Sequence, residues 1–231
     1  MISLPDSRWV VPRHLAGDDG TAAERVGAVL TDLGWRMWPT AHDTLLYVSP
    51  TGLRAAEWTL ASPACALDDL PVAWQISARL TSDAVMAEWS AYFTSGVPPE
   101  AIADLVVALE GDELPITCSY RLVLSALFAL GWARDVDRPE TAAVDPTLST
   151  VFSLEPLPPL LQDADPTPDL PGWQAWAEPA VGAALWCASF SPSVPHDLVA
   201  VFAASLASPA PVLRHSLPEG ARHLLQVVPS S

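Results

Sequence analysis

Hydrophobic and polar positions follow two different periods along this chain, and the change of period predicts its first elements. Apolar residues recur at helical spacing through residues 26–33, behind a capping-box sequence at residues 21–24 and ahead of Gly34. From Trp35 the period becomes two, and short apolar runs predict strands at about 35–38, 44–48 and 53–60. The chain is therefore predicted to begin with a helix that leads into a sheet.

The alternation continues further along the chain and then returns to helical spacing. Residues 72–80 and 85–93 alternate strictly and predict two more strands, joined by a hairpin at residues 81–84. The helical stripe that follows is preceded by Pro98, which suits a first turn, and contains Ile102, Leu105, Val106 and Leu109. The order is thus a helix, about five antiparallel strands and a second helix.

A repeated segment is the strongest signal in the sequence. Residues 89–109 and 186–206 align without a gap and share seven identities in 21 positions. Gly34-Trp35 recurs as Gly131-Trp132 at the same offset of 97 residues. A fixed offset of this kind predicts a tandem duplication.

The second half repeats the predicted pattern with one large insertion. A helix is expected to end at Gly131, with strands near 132–136, 147–154 and 183–191 and a last helix striped by Val199, Phe202 and Leu206. Residues 155–171 hold six prolines and four acids, which predicts a long surface loop. One helical turn is expected near 221–227.

These patterns predict an α+β fold of two tandem repeats, each a roughly five-stranded antiparallel sheet flanked by an N-terminal and a C-terminal helix. The repeats are assigned to residues 10–112 and 113–214, with a C-terminal tail at 215–231. We expect them to join about a pseudo-twofold axis.

Composition and net charge limit the classes of partner that the protein can bind. Half of the 231 residues are hydrophobic and ten are Trp, which is enough to bury a core. The net charge of −16, with no Lys at all, argues against nucleic-acid binding through phosphate contacts and against an anionic membrane surface. A solvated acidic surface is the plain interpretation, and a surface that docks on a basic partner is the alternative.

The N-terminus lacks the apolar region of a signal peptide, and no run of 18 apolar residues predicts a membrane span. The cysteines, Cys65, Cys118 and Cys187, are odd in number and have no metal-ligand spacing. Reduced thiols in a cytoplasmic protein are therefore expected. The oligomeric state is left open.

No motif in the sequence predicts catalysis. The five histidines lie in different elements without metal-ligand spacing, and no nucleophile elbow, P-loop or dinucleotide fingerprint occurs. Cys118 and Cys187 are interpreted as core thiols. We therefore name no catalytic residue, metal or cofactor, and we expect that the protein is not an enzyme.

Five residues are candidates for binding a protein partner. Arg13 and His14 are interpreted either as an arginine that pairs with an acid and a histidine that caps or packs, or as a polar patch beside exposed tryptophans that recognises a partner. Trp38, Trp58 and Trp176 are less firmly placed on inner faces than the other tryptophans, so they could belong to an interface.

Several of these landmarks resemble the actinomycete SPDY-domain family, a domain of unknown function named for a Ser-Pro-Asp-Tyr motif. The matching residues are Val11 to Gly17 (VPRHLAG), Gly34-Trp35, Tyr47 with Ser49-Pro50 and Gly52, Trp89 to Phe93, Pro99-Glu100, Leu206 to Pro209, Pro211-Val212 and Arg214. The resemblance extends over about residues 10–214 and both repeats. It implies no activity.

Three hypotheses follow. The first is a non-enzymatic interaction or regulatory protein, because a duplicated sheet comes without a catalytic constellation. The second is an acidic inhibitor or decoy of a basic or nucleic-acid-binding partner. The third is an unrecognised enzyme with its site between the repeats.

Overall fold

A computed structural model describes residues 7–60, 65–111, 119–156 and 171–229. The first half contains, in order, β1 (Arg8–Val11), α1 (Arg13–Ala16), α2 (Ala22–Asp32), β2 (Arg36–Pro39), β3 (Thr44–Val48), β4 (Arg54–Thr59), β5 (Ala66–Leu67), β6 (Leu70–Ala78), β7 (Trp89–Thr94) and α3 (Pro99–Glu110). The second half contains α4 (Arg121–Ala129), β8 (Ala133–Arg134), β9 (Ala142–Val144), β10 (Thr150–Glu155), β11 (Gly172–Ala177), β12 (Trp186–Phe190), α5 (His196–Ala207), β13 (Val212–Arg214) and β14 (Gln226–Val228). A 3-10 turn, Glu219–Ala221, precedes β14.

The strands confirm an α+β protein built on antiparallel pairing, but their layout differs from the prediction of one sheet per half. Ten strands form one continuous path in the order β2-β3-β4-β6-β7-β12-β11-β10-β9-β8, and the short β5 pairs with β6. The two predicted sheets merge because β7 and β12 hydrogen-bond to each other. The strands β7 and β12, where the two halves meet, therefore have no free edge.

The register at this junction follows the sequence offset. Tyr92 lies opposite Ser189, the residue 97 positions later, and Ala91 and Phe93 lie opposite Phe190 and Ala188. Helices α3 and α5 begin 97 residues apart, which is the same offset that relates the start of β7 to the start of β12.

All four long helices contribute to one hydrophobic core on one face of the long sheet. Helix α3 packs between α2 and α5, and α5 packs against α4. The core is continuous from Val26 of α2 through Ile102 of α3 to Leu127 of α4. At the junction Phe93, Phe190 and Phe202 pack with ring centroids 5.1 to 5.6 Å apart. Such aromatic packing joins the halves by more than strand pairing.

A second, three-stranded sheet joins the two ends of the chain. Its order is β13-β1-β14, so β1 lies between two strands from the C-terminal region. The helical turn expected near residues 221–227 lies slightly earlier, as the 3-10 turn Glu219–Ala221, and the end of that stretch enters β14. Periodicity could not reveal this pairing because its partners are more than 200 residues apart in sequence.

Local differences from the predictions have physical causes. The strand predicted from residue 85 begins at Trp89, because residues 79–88 form turns beside the sheet. The N-terminus of α2 is capped by Asp18, whose Oδ1 accepts the N–H groups of Thr21 and Ala22, and Thr21 makes no side-chain cap. Aspartate is one of the preferred residues for accepting the free N–H groups at a helix N-terminus, so it replaces the predicted capping box.

The predicted loop at 155–171 and Cys118 fall largely or wholly outside the described residues. Strand β9 was not anticipated. Within the described ranges, no helix has both the length and the apolar character to cross a membrane.

Candidate functional site

The five residues predicted to bind a partner do not form one surface. Arg13 and His14 lie in α1 and pack into the interior, while Trp38, Trp58 and Trp176 lie on three separate strands of the long sheet. The structure therefore divides the candidates into an interior contact and separate positions on the two sheet faces.

Arg13 connects the two central helices. Its Nη1 donates to the hydroxyl and the carbonyl oxygen of Ser205 in α5, at 2.8 and 3.1 Å. The same nitrogen lies 3.7 Å from a carboxylate oxygen of Asp104 in α3, which also accepts the Ser205 hydroxyl at 2.5 Å. Arg13 thus spans α3 and α5 and is largely taken up by internal contacts.

His14 is buried beside a buried carboxylate. Its Nε2 lies 3.3 Å from Oδ2 of Asp145, an ion-pair distance without hydrogen-bond alignment. Its carbonyl oxygen accepts the indole N–H of Trp186 at 2.8 Å, and its ring meets Trp132 edge-on. His14 therefore links the N-terminal segment to the second half of the chain.

Asp145 is held ionised by its neighbours. Burial by itself raises its pKa, but the His14 contact and the hydrogen bonds from Thr147 outweigh burial and lower the pKa to about 2. Its Oδ1 also accepts the backbone N–H groups of Ser149 and Thr150 at 2.8 and 2.6 Å. This carboxylate organises the turn between β9 and β10.

A partly buried ion-pair network joins residues that the sequence did not indicate as a site. Arg214 grips Glu100 with two bonds of 2.6 Å, and its Nε donates to the carbonyl of Gly17 at 2.9 Å. Arg25 adds a third bond to Glu100 at 2.9 Å. Burial raises the pKa of Glu100, but the bonds from Arg214 exceed that effect and leave the pKa lowered.

The network contacts the VPRHLAG segment at its last residue, Gly17, through the bond from Arg214. Gly17 has φ +60°, and a Cβ there would lie 2.8 Å from Cγ of Pro218, so both the backbone and the space favour glycine. Gly17, Glu100 and Arg214 were all among the residues that carried the family resemblance, which was the one available signal for the network. Because their charges are mutually satisfied, we interpret this cluster as structural.

Trp58 lies on the helix-covered face and stacks on Trp74 with centroids 6.3 Å apart. The two rings border a cavity of about 260 Å³ that Asp18 also lines. Burial raises the pKa of Asp18, partly opposed by the backbone bonds from Ala22 and Thr21. The carboxylate is already used as the α2 cap, so the cavity offers few uncommitted polar groups.

Trp38 and Trp176 lie on the opposite face, which no described helix covers. Register places one transverse row on this face: Trp38, Leu46, Glu57, Gln75, Tyr92, Ser189 and Gln174. Trp176 pairs with Cys187 next to this row and packs against a small cluster that contains Tyr92. Residues paired across antiparallel strands point to the same side, so the row forms one continuous surface.

A groove of about 380 Å³ opens on this surface, and we call it the open-face groove. Its floor comes from β3, β4, β6 and β7 and its wall from the loop before β7; the lining residues are Leu46, Ala55, Glu57, Gln75, Ser77, Arg79, Val85, Met86, Ala87, Ser90 and Tyr92. It has a polar floor and an apolar wall, and we take it as the candidate site.

The Cys187 thiol, beside the groove, is not an activated nucleophile. Burial raises the pKa of the Cys187 thiol to about 11, with further contributions from Asp68 and Glu178, so this thiol is not reactive at neutral pH. The Phe93–Phe190–Phe202 packing fills the middle of the boundary between the halves. The hypothesis of an enzyme with its site between the repeats stays a prediction.

Comparison with known families identifies the chain by class but assigns no activity. The family profile described as SPDY, a domain of unknown function (DUF317), matches residues 48–115 and 160–212, together more than half of the chain. The protein therefore belongs to the SPDY (DUF317) family, and the two segments are consistent with two copies of the domain. Comparison with curated proteins and with solved structures gave no match.

The matched segments contain most of the candidate site. All residues that line the open-face groove except Leu46 lie within 48–115, and so does Trp58. Trp176 lies in the second segment, whereas Arg13, His14 and Trp38 lie outside both.

Proposed function

We propose that this protein is a non-enzymatic interaction protein that binds a short segment of another protein in the open-face groove. One observation carries the proposal: the wall of the groove exposes apolar side chains above a polar floor. Val85 is 89% exposed and Met86 is 54% exposed. Neighbouring exposed apolar residues beside a concave surface are typical of binding sites.

The floor and the wall define the chemistry of the bound segment. Gln75 and Ser77 supply hydrogen-bonding side chains, and Met86 supplies an adaptable apolar contact. Arg79, at the end of β6, has no ion-pair partner among the described residues. The fitting occupant is therefore a segment with an apolar side chain for the wall and an acidic side chain for Arg79.

Exposure of Trp38 extends this surface toward the sheet edge. Trp38 lies in β2, the outermost strand of the first half, in the same row as Leu46 and Glu57. Tryptophan at the margin of an interface contributes large contact area and a polar N–H. A bound segment longer than the groove would contact it.

Tandem duplication is part of the same proposal. It is supported by the 97-residue offset, the opposition of Tyr92 and Ser189, and the match of two separate segments to one family. In this view the two copies share one sheet, and the open-face groove belongs to the first copy.

The acidic-decoy hypothesis remains the alternative, and it is motivated by the net charge of −16. It differs in its response to salt. Binding through a spread of surface charges weakens strongly as ionic strength rises, whereas binding through the apolar wall changes little.

Site-specific photo-crosslinking tests the proposal. A photo-crosslinking residue at position 86 should capture one partner in the native host, and the same residue at position 181 should not. Val181 is the control because it is also an exposed apolar residue in a loop, with a relative exposure of 103%. Affinity for the purified partner should fall about tenfold in Val85→Asp with Met86→Asp, a loss of about 1.4 kcal/mol.

The outcomes separate the hypotheses. Equal capture from positions 86 and 181, or unchanged affinity in the double variant, would remove the groove as the binding site. Loss of binding with moderate salt together with no effect of the double variant would support the acidic decoy.

A further inference from the structure

A basic pocket lies on the three-stranded sheet, away from the open-face groove. It has a volume of about 360 Å³ and is lined by Arg8, Arg214, His215, Ser216, Leu217 and Arg222. Three of the eleven arginines of a chain with net charge −16 therefore border one pocket. Such a concentration of positive charge contrasts with the rest of the sequence.

The three arginines are not equivalent. Arg214 is fully buried and uses four of its five N–H donors on Glu100, Gly17 and its own backbone neighbour. Arg8 and Arg222 are exposed, and neither has an ion-pair partner among the described residues. Arg214 is therefore a positioning residue, and Arg8 and Arg222 are available to a ligand.

Strand register brings like charges together. Arg8 lies directly opposite Arg214 in the β1–β13 pair. Like charges in opposite positions of an antiparallel pair are unfavourable unless a counter-charge is present. The negative charge of Glu100 balances the positive charge of Arg214 from the interior. The positive charges of Arg8 and Arg222 have no such partner among the described residues and together amount to two.

Among the described residues, two acids lie near this region and do not neutralise the pocket. Asp19 accepts the backbone N–H of His215 at 2.8 Å and lies 3.9 Å from Arg25, so its charge is shared with that arginine. Glu219 is exposed, three residues before Arg222, and does not line the pocket.

We propose that this pocket binds a phosphate dianion, held by Arg8 and Arg222 and assisted by His215 and Ser216. Two guanidinium forks match the charge and the several acceptor oxygens of a phosphate better than those of a carboxylate. His215 is oriented by a 2.8 Å contact between its Nδ1 and Ser7 Oγ, which leaves Nε2 for the ligand. The phosphate can be free or carried by an organic molecule, and the chemistry of recognition is shared.

Titration of the full-length protein with inorganic phosphate tests the site. At constant ionic strength, the backbone amide resonances of residues 214–217 and 222 should shift saturably. Arg8→Gln and Arg222→Gln should each weaken binding about tenfold, because each removes a charge-assisted pair of hydrogen bonds. Arg36→Gln is the matched control, since Arg36 is an exposed strand arginine without an ion-pair partner among the described residues.

A parallel titration with O-phosphoserine distinguishes the sources. Tighter binding of O-phosphoserine than of phosphate assigns the site to a phosphorylated side chain, and equal or weaker binding assigns it to free phosphate. Non-saturating shifts, or the same loss of affinity in Arg36→Gln as in Arg222→Gln, would overturn the proposal. Because Arg8 and Arg222 are exposed, both variants should keep the wild-type fold, which the unperturbed remainder of the amide spectrum would verify.

Discussion

Two tryptophans 97 residues apart, Trp89 and Trp186, begin the two central strands and have different surroundings. The indole N–H of Trp186 donates to the carbonyl of His14 in α1, a helix that also packs against α5. No described residue accepts a hydrogen bond from the indole N–H of Trp89, and this ring borders a cavity of about 260 Å³ between Leu109 and Leu198.

The difference shows that related sequences at the two positions do not determine what covers them. At Trp186 the cover is supplied by the N-terminal segment, which brings Arg13 to Ser205 and His14 to Asp145. At Trp89 the lining includes Arg54, which is paired with Glu110, and the exposed Arg79. The surroundings of Trp186 are therefore closed by the polar contacts of Arg13 and His14, and we call this region the closed end. The surroundings of Trp89 contain a cavity instead.

The largest effect is expected from removing the carboxylate at the closed end. Asp145→Ala leaves the backbone N–H groups of Ser149 and Thr150 without their acceptor and the His14 ring without its neighbouring carboxylate. We expect a loss of about 3 to 5 kcal/mol in the free energy of unfolding, because buried groups lose charged partners. Urea unfolding measures it.

The control for this substitution is Asp137→Ala, which changes an exposed acid in a neighbouring loop. It should alter the free energy of unfolding by less than about 0.5 kcal/mol. A loss below about 1 kcal/mol in Asp145→Ala would show that the closed end does not depend on this carboxylate. If the alanine variant fails to fold, Asp145→Asn, which keeps one acceptor oxygen, should fold with an intermediate loss.

The sequence predicted the elements of this comparison better than their contacts. Helices α3 and α5 and strand β12 were anticipated from the 97-residue offset and from stripes such as Ile102 and Val199, since period and burial are local properties. The contact between His14 and Asp145 was not, because it joins residues 131 positions apart that share no local pattern. The candidate interface residues Arg13, His14, Trp38, Trp58 and Trp176 do not form one surface for the same reason, because no local pattern encodes their tertiary positions.

The open-face groove shows the same limit. Alternation correctly placed Trp74 and Ile76 on the buried face, and so left Gln75 and Ser77 for the other one. The sequence does not indicate the apolar wall, because residues 85–88 continue the alternation of the strand although they lie in an irregular loop. Only the tertiary position of that loop makes Val85 and Met86 exposed.

Acid should weaken the closed end over a defined pH range. The pKa of Asp145 in the folded protein, about 2, lies below its ordinary value of 3.8. Its stabilising contribution is therefore complete above pH about 4 and is lost as the pH falls to about 2, by roughly 2 kcal/mol. The difference in unfolding free energy between wild type and Asp145→Asn, followed over this range, isolates the contribution from the other carboxylates. A difference that is constant with pH would contradict the ion pair.

The smallest effect separates the two tryptophans themselves. Trp186→Phe and Trp89→Phe remove the same atoms from two nearly fully buried rings, so the loss of ring volume is similar in both. Trp186→Phe also leaves the carbonyl of His14 without its 2.8 Å donor, whereas Trp89→Phe breaks no described hydrogen bond. Trp186→Phe should therefore be the more destabilising by about 1 kcal/mol in urea unfolding. Equal losses would mean that the bond to His14 contributes nothing net, and a larger loss in Trp89→Phe would mean that the cavity end is the better packed of the two.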